Sequence, residues 1–168
     1  VLAYIDPADG RLTMQMSAQM PSGIRDSLGS QLGMPREQIR VLVSDVGGGF
    51  GMKSGLYPED LLTAYCARVL ACPVKWIAER SEDFLSAAPG RDLQSHCELA
   101  LDETGRILAL RVASHANVGA YATGVGTAIQ LLVGPWVQTG TYDITTVDFH
   151  FTAVLTNTTP PGAYRGAG

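Results

Sequence analysis

Apolar positions recur along this chain at two periods, and each predicts its own elements. Val1–Ile5 reads as a short strand and Asp6–Gly10 as a turn. In the following 11–17 strand, Leu12, Met14 and Met16 share one face, so the opening is a hairpin whose methionines pack in a core. The period then lengthens. Ile24, Leu28 and Leu32 recur every fourth residue and predict a helix over 23–32, entered through Met20-Pro21-Ser22 and stopped at Gly33. A turn over 34–38 delivers the chain into a strand over 39–44. A second helix over 58–71 carries Pro58 in its first turn, with Glu59 and Asp60 at its positive end. Val74–Ala78 reads as another strand after Pro73.

The pattern continues with a charged segment, Glu79–Asp83, expected to be a loop. A turn over 88–92 follows, in which Arg91 and Asp92 read as a solvated pair. Alternation over 95–101 and 106–114, joined by Asp102-Glu103-Thr104-Gly105, predicts a long hairpin. Asn117–Gly126 interleaves glycine with aliphatic and aromatic residues, as a loop packed beneath another segment would. Residues 127–133 predict a short helix stopped by Gly134-Pro135, and 147–155 a strand with Val147, Phe149, Phe151 and Ala153 on one side. The fold class is α+β, with mixed β-sheets and packed helices, and possible lobes over 1–90 and 91–168.

Two stretches depart from these patterns. Asp45-Val46-Gly47-Gly48-Gly49-Phe50-Gly51-Met52-Lys53-Ser54 places four glycines around one aromatic between a strand and a helix. Glycine opens left-handed backbone and leaves peptide amides uncovered, so this loop is a candidate main-chain cradle. Neither phosphate-loop fingerprint fits it. A dinucleotide GxGxxG started at Gly47 meets Met52, one started at Gly49 meets Ser54, and the Lys53-Ser54 pair lacks the glycine that a Walker loop has before it. The second stretch runs from Asn157 to Gly168, where Pro160 and Pro161 stiffen the approach and Gly162, Gly166 and Gly168 surround Tyr164-Arg165. It has the character of a second clamp.

Composition narrows the function classes. Of 168 residues, 46% are hydrophobic and 17% charged, which excludes a disordered tail as the main content. The net charge of −4, without a basic stripe, gives no basis for nucleic-acid binding. No apolar run approaches a membrane-spanning helix. Cys66, Cys72 and Cys97 form no CxxC and are expected to be reduced and mostly buried. His96, His115 and His150 lack metal-ligand spacing and read as strand residues, and Glu79, Glu82 and Asp83 as solvated acids. The first residue is valine and the last four are loop-like, so the chain reads as a piece of a larger polypeptide or one component of an assembly.

Gly47-Gly48-Gly49-Phe50-Gly51-Met52-Lys53, together with Pro161-Gly162-Ala163-Tyr164-Arg165-Gly166-Ala167-Gly168, resembles the molybdenum-binding large subunit of the xanthine oxidase family of molybdenum hydroxylases. That family includes aldehyde oxidases, carbon monoxide dehydrogenase and dehydrogenases of nitrogen heterocycles. The Tyr4–Asp9 opening, Gln19, Pro73–Trp76, Glu79-Arg80 and Asn117-Val118-Gly119 follow the same pattern, so the resemblance covers nearly the whole chain.

The resemblance implies a molybdopterin cofactor carrying molybdenum, in bacteria commonly the cytosine dinucleotide form. It places Gly48, Gly49, Phe50 and Gly51 on one side of that cofactor and Ala163, Tyr164, Arg165 and Gly166 on the other, with no metal ligand from this segment. The implied activity is oxidation of an aldehyde or aromatic nitrogen heterocycle with water as oxygen source. Electrons would leave through 2Fe-2S clusters and FAD on partner domains or subunits. The family's catalytic glutamate falls beyond Gly168, and the glutamine that hydrogen-bonds the metal centre is expected upstream of the chain, so the isolated segment is expected to be inactive. The substrate-pocket positions fall on Ser54, Val133 and Ala167, which lack the charged and stacking residues of purine-oxidising members. Gly166 stands where the carbon monoxide enzyme has a copper-binding cysteine. An aldehyde is therefore placed slightly ahead of a heterocycle, and the assembly in the cytoplasm ahead of the periplasm. The alternative is a noncatalytic assembly or maturation component that retains the scaffold.

Overall fold

In the computed structural model, which describes residues 1–166, seven strands form two mixed sheets, and the chain divides into two compact units, Val1–Ala87 and the remainder from Ala88. The first unit holds β1 (Leu2–Ile5), β2 (Leu12–Gln15), β3 (Ile39–Leu42) and β4 (Val74–Lys75) in the order β3-β2-β1-β4. β1 pairs antiparallel with β2 and β4, whereas β2 pairs parallel with β3. A parallel pair needs a crossover, and α1 (Pro21–Leu32) supplies it.

The core of this unit forms where the two periods meet. Leu12 and Met14 from β2, Ala3 from β1 and Ile39 from β3 pack against Ile24 and Leu28 of α1 and Ala64 and Ala67 of α2 (Pro58–Leu70). Met16 is partly buried against the same cluster. Gly33 ends α1 in the left-handed conformation at φ 62°, its N–H donating to Gly29 O. At the start of α2, Tyr57 N–H donates to Asp60 Oδ2 at 3.2 Å. Burial holds the Asp60 carboxyl above the ordinary carboxylate range, with the Tyr57 amide opposing that shift.

Three expectations change here. β4 is only two residues long, Val74 and Lys75 pairing with Ala3 and Leu2 of β1, although Trp76 N–H still donates to Val1 O at 2.9 Å. The charged 79–83 segment opens a helix, α3 (Arg80–Ser86), since Glu82 caps the Glu79 N–H at 3.1 Å and Arg80 lies over the Phe84 ring. Cys72 and Cys97 are exposed, and only Cys66 is partly covered.

The second unit contains β5 (Leu93–Leu101), β6 (Ile107–Gly119) and β7 (Thr146–Leu155) in that order. β5 and β6 form the expected hairpin, closed by Asp102, whose Oδ1 accepts from the Thr104 and Arg106 amides. β7 joins β6 in parallel. Val112, Ser114, Ala116 and Val118 of β6 turn inward on one face. His96, His115 and His150 lie on β5, β6 and β7 respectively.

Helical winding between the last two strands runs further than the sequence suggests, from Gly124 to Val137. α4 (Gly124–Ala128) leads into π winding over Ile129–Val133 and then into α5 (Gly134–Val137). Gly134-Pro135 does not stop it. The π turn lets Gly134 N–H reach Ile129 O, and Pro135 then sits in a new first turn, where a missing N–H costs nothing. Among the described residues, no helix is long and apolar enough to cross a membrane.

Candidate functional site

The glycine loop of the first unit is rolled tightly by its backbone. Gly47, Gly48 and Gly51 have φ of 64°, 99° and 90°, and Phe50 joins them at 54°. At Gly48 such an angle is open only to glycine without strain. The loop is also held by side chains. Lys53 Nζ donates to Ser17 Oγ at 2.8 Å and Val46 O at 3.2 Å, and the Tyr57 hydroxyl donates to Met52 O at 2.9 Å. Lys53 is thus an internal strut of the loop.

Gln19 is folded onto the same loop. Its N–H donates to Lys53 O at 2.8 Å, and its Oε1 accepts from Gly51 N–H at 2.9 Å. A backbone N–H can only donate, so the oxygen must face Gly51 and the Nε2 group must turn away from it. A Cβ on Gly49 would lie 2.4 Å from Gln19 Cγ and Oε1, and one on Gly48 would lie 2.6 Å from the Phe50 ring. These two glycines therefore make room for Gln19 and Phe50. The Gly51 and Met52 amides are spent inside the loop, on Gln19 Oε1 and Gly49 O, so Gly51 shapes the loop through its backbone angle. Ser54 ends the short 3₁₀ turn Met52–Ser54 and is half-buried.

In the second unit the terminal clamp is layered on the 117–126 segment. Gly119, at φ 77°, passes under Pro160, where a Cβ would lie 2.4 Å from Pro160 Cα. Gly126 meets Pro161 more closely still, since a Cβ there would fall 1.9 Å from Pro161 O. Asn117 ties the layers together. Its Nδ2 donates to Asp92 Oδ2 and Thr158 Oγ1, and its Oδ1 accepts from Gly119 N–H and Thr156 Oγ1. Gln130 Nε2 donates to Asn117 O at 2.7 Å.

Arg91 does not pair with Asp92 as expected. Its Nη1 donates to Tyr164 O at 3.0 Å, and its Nη2 donates to Arg165 O at 2.7 Å and Gly166 O at 2.6 Å. Arg165 and Gly166 are left-handed at φ 34° and 66°, and the Arg165 guanidinium lies over the Tyr164 ring. Ala163 is buried, while Tyr164, Arg165 and Gly166 are exposed. A cleft of about 300 Å³ opens in the same unit, lined among others by Arg91, Asp92, Asn117 and Thr158. Val133 is half-buried in the π winding of the same unit, and Ala167 lies outside the described residues.

The family described as molybdopterin cofactor-binding domain matches residues 1–168. The chain belongs to that family. It is 35% identical over its full length to the 6-hydroxypseudooxynicotine dehydrogenase complex subunit gamma of Paenarthrobacter nicotinovorans, covering 21% of that protein. It is also 35% identical to the carbon monoxide dehydrogenase large chain of Hydrogenophaga pseudoflava, over 98% of this chain and 20% of that one. The fold superposes on quinoline 2-oxidoreductase from Pseudomonas putida 86 with a TM-score of 0.90, at 38% identity, over 99% of this chain and 21% of that chain. The chain therefore spans about a fifth of the length of the molybdenum-hydroxylase large subunits it matches, and the alternative of a maturation component is not favoured.

Gln19, Arg91 and Asn117 are the residues that the sequence left out of the site. Gln19, just before α1, and Asn117 both followed the family pattern, but nothing in the sequence marked either as a site residue. Arg91 follows Gly90, where a Cβ would lie 2.8 Å from Tyr164 Cβ, but that proximity is invisible in the sequence.

Proposed function

We propose that this chain supplies two main-chain supports for a molybdopterin cofactor in a hydroxylating dehydrogenase, and that the substrate is an aromatic nitrogen heterocycle. The observation that carries the reading is the pair of left-handed turns, Phe50-Gly51 and Arg165-Gly166, each braced by the chain's own side chains. The two turns suit an anionic dithiolene or phosphate group in different ways: at 165–166 peptide N–H groups would face it, and at 50–51, where the Gly51 amide is taken by Gln19 Oε1, the Gln19 Nε2 group would, in both cases without adding a titratable proton.

Gly48, Gly49, Phe50 and Gly51 would hold one side of the cofactor, and Ala163, Tyr164, Arg165 and Gly166 another. Gln19 replaces the expectation that the family's glutamine lies upstream of residue 1. With Oε1 fixed by Gly51 N–H, its Nε2 hydrogens are oriented for an acceptor on the group held there. When bound, the molybdenum centre supplies the redox chemistry and activates water as the oxygen source. Ser54, Val133 and Ala167 bring no charge to the substrate side. The cytosine dinucleotide form, and iron–sulfur and flavin partners that carry electrons away, complete the proposed assembly.

The heterocycle now comes ahead of the aldehyde. Two of the relatives at 35–38% identity are named for quinoline and for a nicotine derivative. Gly166 offers no soft ligand for copper, which separates this chain from a molybdenum–copper site despite its likeness to a carbon monoxide dehydrogenase. An assay of the intact protein against nitrogen heteroaromatics, aromatic aldehydes, purines and carbon monoxide tests the assignment. The highest kcat/KM is expected for a heteroaromatic, with purines lower by ~10⁴-fold because their charged contacts are missing. Faster turnover of a purine or of carbon monoxide would overturn it.

A further inference from the structure

We infer that Arg91 is a positioning residue that sets the direction of the peptide amides in the 164–166 turn, and through them the seating of the cofactor; this rests on the cofactor reading above. The guanidinium reaches three successive carbonyls, those of Tyr164, Arg165 and Gly166, at 3.0, 2.7 and 2.6 Å. No peptide bond in the described chain is cis. In a trans peptide the C=O and the following N–H point in opposite directions. Pinning Tyr164 O and Arg165 O on one cation therefore turns the Arg165 and Gly166 N–H groups away from Arg91.

Left-handed φ at Arg165 and Gly166 curls these consecutive peptides into the kind of amide concavity that binds anions. The cation behind the turn neutralises three converging carbonyl dipoles, and the Arg165 and Gly166 N–H groups lie on the opposite face. Arginine suits this task because its planar fork reaches several acceptors at once, whereas a lysine ammonium is a single point charge. The rest of the 88–92 turn supports the fork. Gly162 N–H donates to Pro89 O at 2.7 Å, and Asp92 Oδ2 accepts from Asn117. Gly90 carries no Cβ that would strike Tyr164. Arg91 itself is left-handed, at φ 55°, which aims its side chain from a fixed turn.

The test compares Arg91→Lys and Arg91→Gln with wild type in the full-length protein within its assembly. Molybdenum and pterin are measured per polypeptide, and the Mo(V) paramagnetic spectrum is recorded. Both variants are expected to fold and assemble. Arg91→Gln should retain at most about a tenth of the wild-type molybdenum and pterin, in line with the loss caused by removing an outer-shell partner. Arg91→Lys should load to an intermediate level, with a shifted Mo(V) signal in its loaded fraction. Wild-type loading with an unchanged Mo(V) signal in both variants would overturn the inference. Failure of both to fold would do so as well, by assigning Arg91 to stability alone; if only Arg91→Gln fails, Arg91→Lys decides by the same criteria. Wild-type protein lacking molybdenum and pterin would contradict the cofactor reading itself, a separate result.

Discussion

Gly126→Ala is expected to destabilise the second unit by about 3 kcal/mol and to empty the protein of cofactor. The added methyl carbon would sit 1.9 Å from Pro161 O and 2.6 Å from Thr123 Oγ1, the hydroxyl that caps α4. The first obstacle is main chain, so no rotamer change relieves it, and the adjoining prolines leave that segment little freedom to retreat. Relief requires moving Pro161, and with it the approach to Ala163–Gly166. Gly124→Ala, two residues earlier in α4, is the internal control. Nothing lies within 4 Å of its Cβ and its φ is not left-handed, so the substitution should be neutral or slightly stabilising. Thermal midpoints and molybdenum content of the two variants, measured in the intact protein, separate the outcomes. Equal behaviour would refute the layered packing of 117–126 under 158–161.

Gly48→Ala should have the second-largest effect, and it acts on the other loop. At φ 99° an L-residue is strained by about 1–2 kcal/mol, and its Cβ would also press on the Phe50 ring from 2.6 Å. Phe50 is itself left-handed and its ring is exposed, so relief of the contact means turning the ring off Gly48, in the turn that Gln19 holds through Gly51. A loss of 10–100-fold in cofactor affinity or turnover is expected. Gly47→Ala distinguishes strain from collision. Its φ of 64° is left-handed too, but nothing lies within 4 Å of the Cβ, so it should show a stability loss of about 1 kcal/mol with near-normal cofactor content. If the two alanines behave alike, the Phe50 contact has no functional weight.

What could be read from the sequence was what local periodicity encodes. Ile24, Leu28 and Leu32 give α1, Pro58 with Glu59 and Asp60 gives α2, and the hairpins β1–β2 and β5–β6 follow from alternation around marked turns. The parallel pairings β2–β3 and β6–β7 join strands separated by whole helical segments, and no short-range signal specifies such partners. α3 was hidden because its capping glutamates look like loop residues until their spacing to the Glu79 amide is recognised. Gly134-Pro135 misled for a related reason: a proline stops a helix only if its missing N–H was needed, and π winding removed the need. Both candidate turns were visible as glycine-rich motifs. Their braces were not, since Gln19 stands 32 residues from Gly51 and Arg91 stands 73 from Tyr164.

The turns at Phe50-Gly51 and at Arg165-Gly166 are each proposed to support molybdopterin. A crystal structure of the intact protein isolated with its cofactor tests this most directly. Pterin or metal-ligand atoms are expected in contact with 48–51 and with 163–166, with Gln19 Nε2 directed at the group and Arg91 still bonded to the three carbonyls. Either turn facing solvent, with no pterin beside it, would overturn its assignment as a cofactor support.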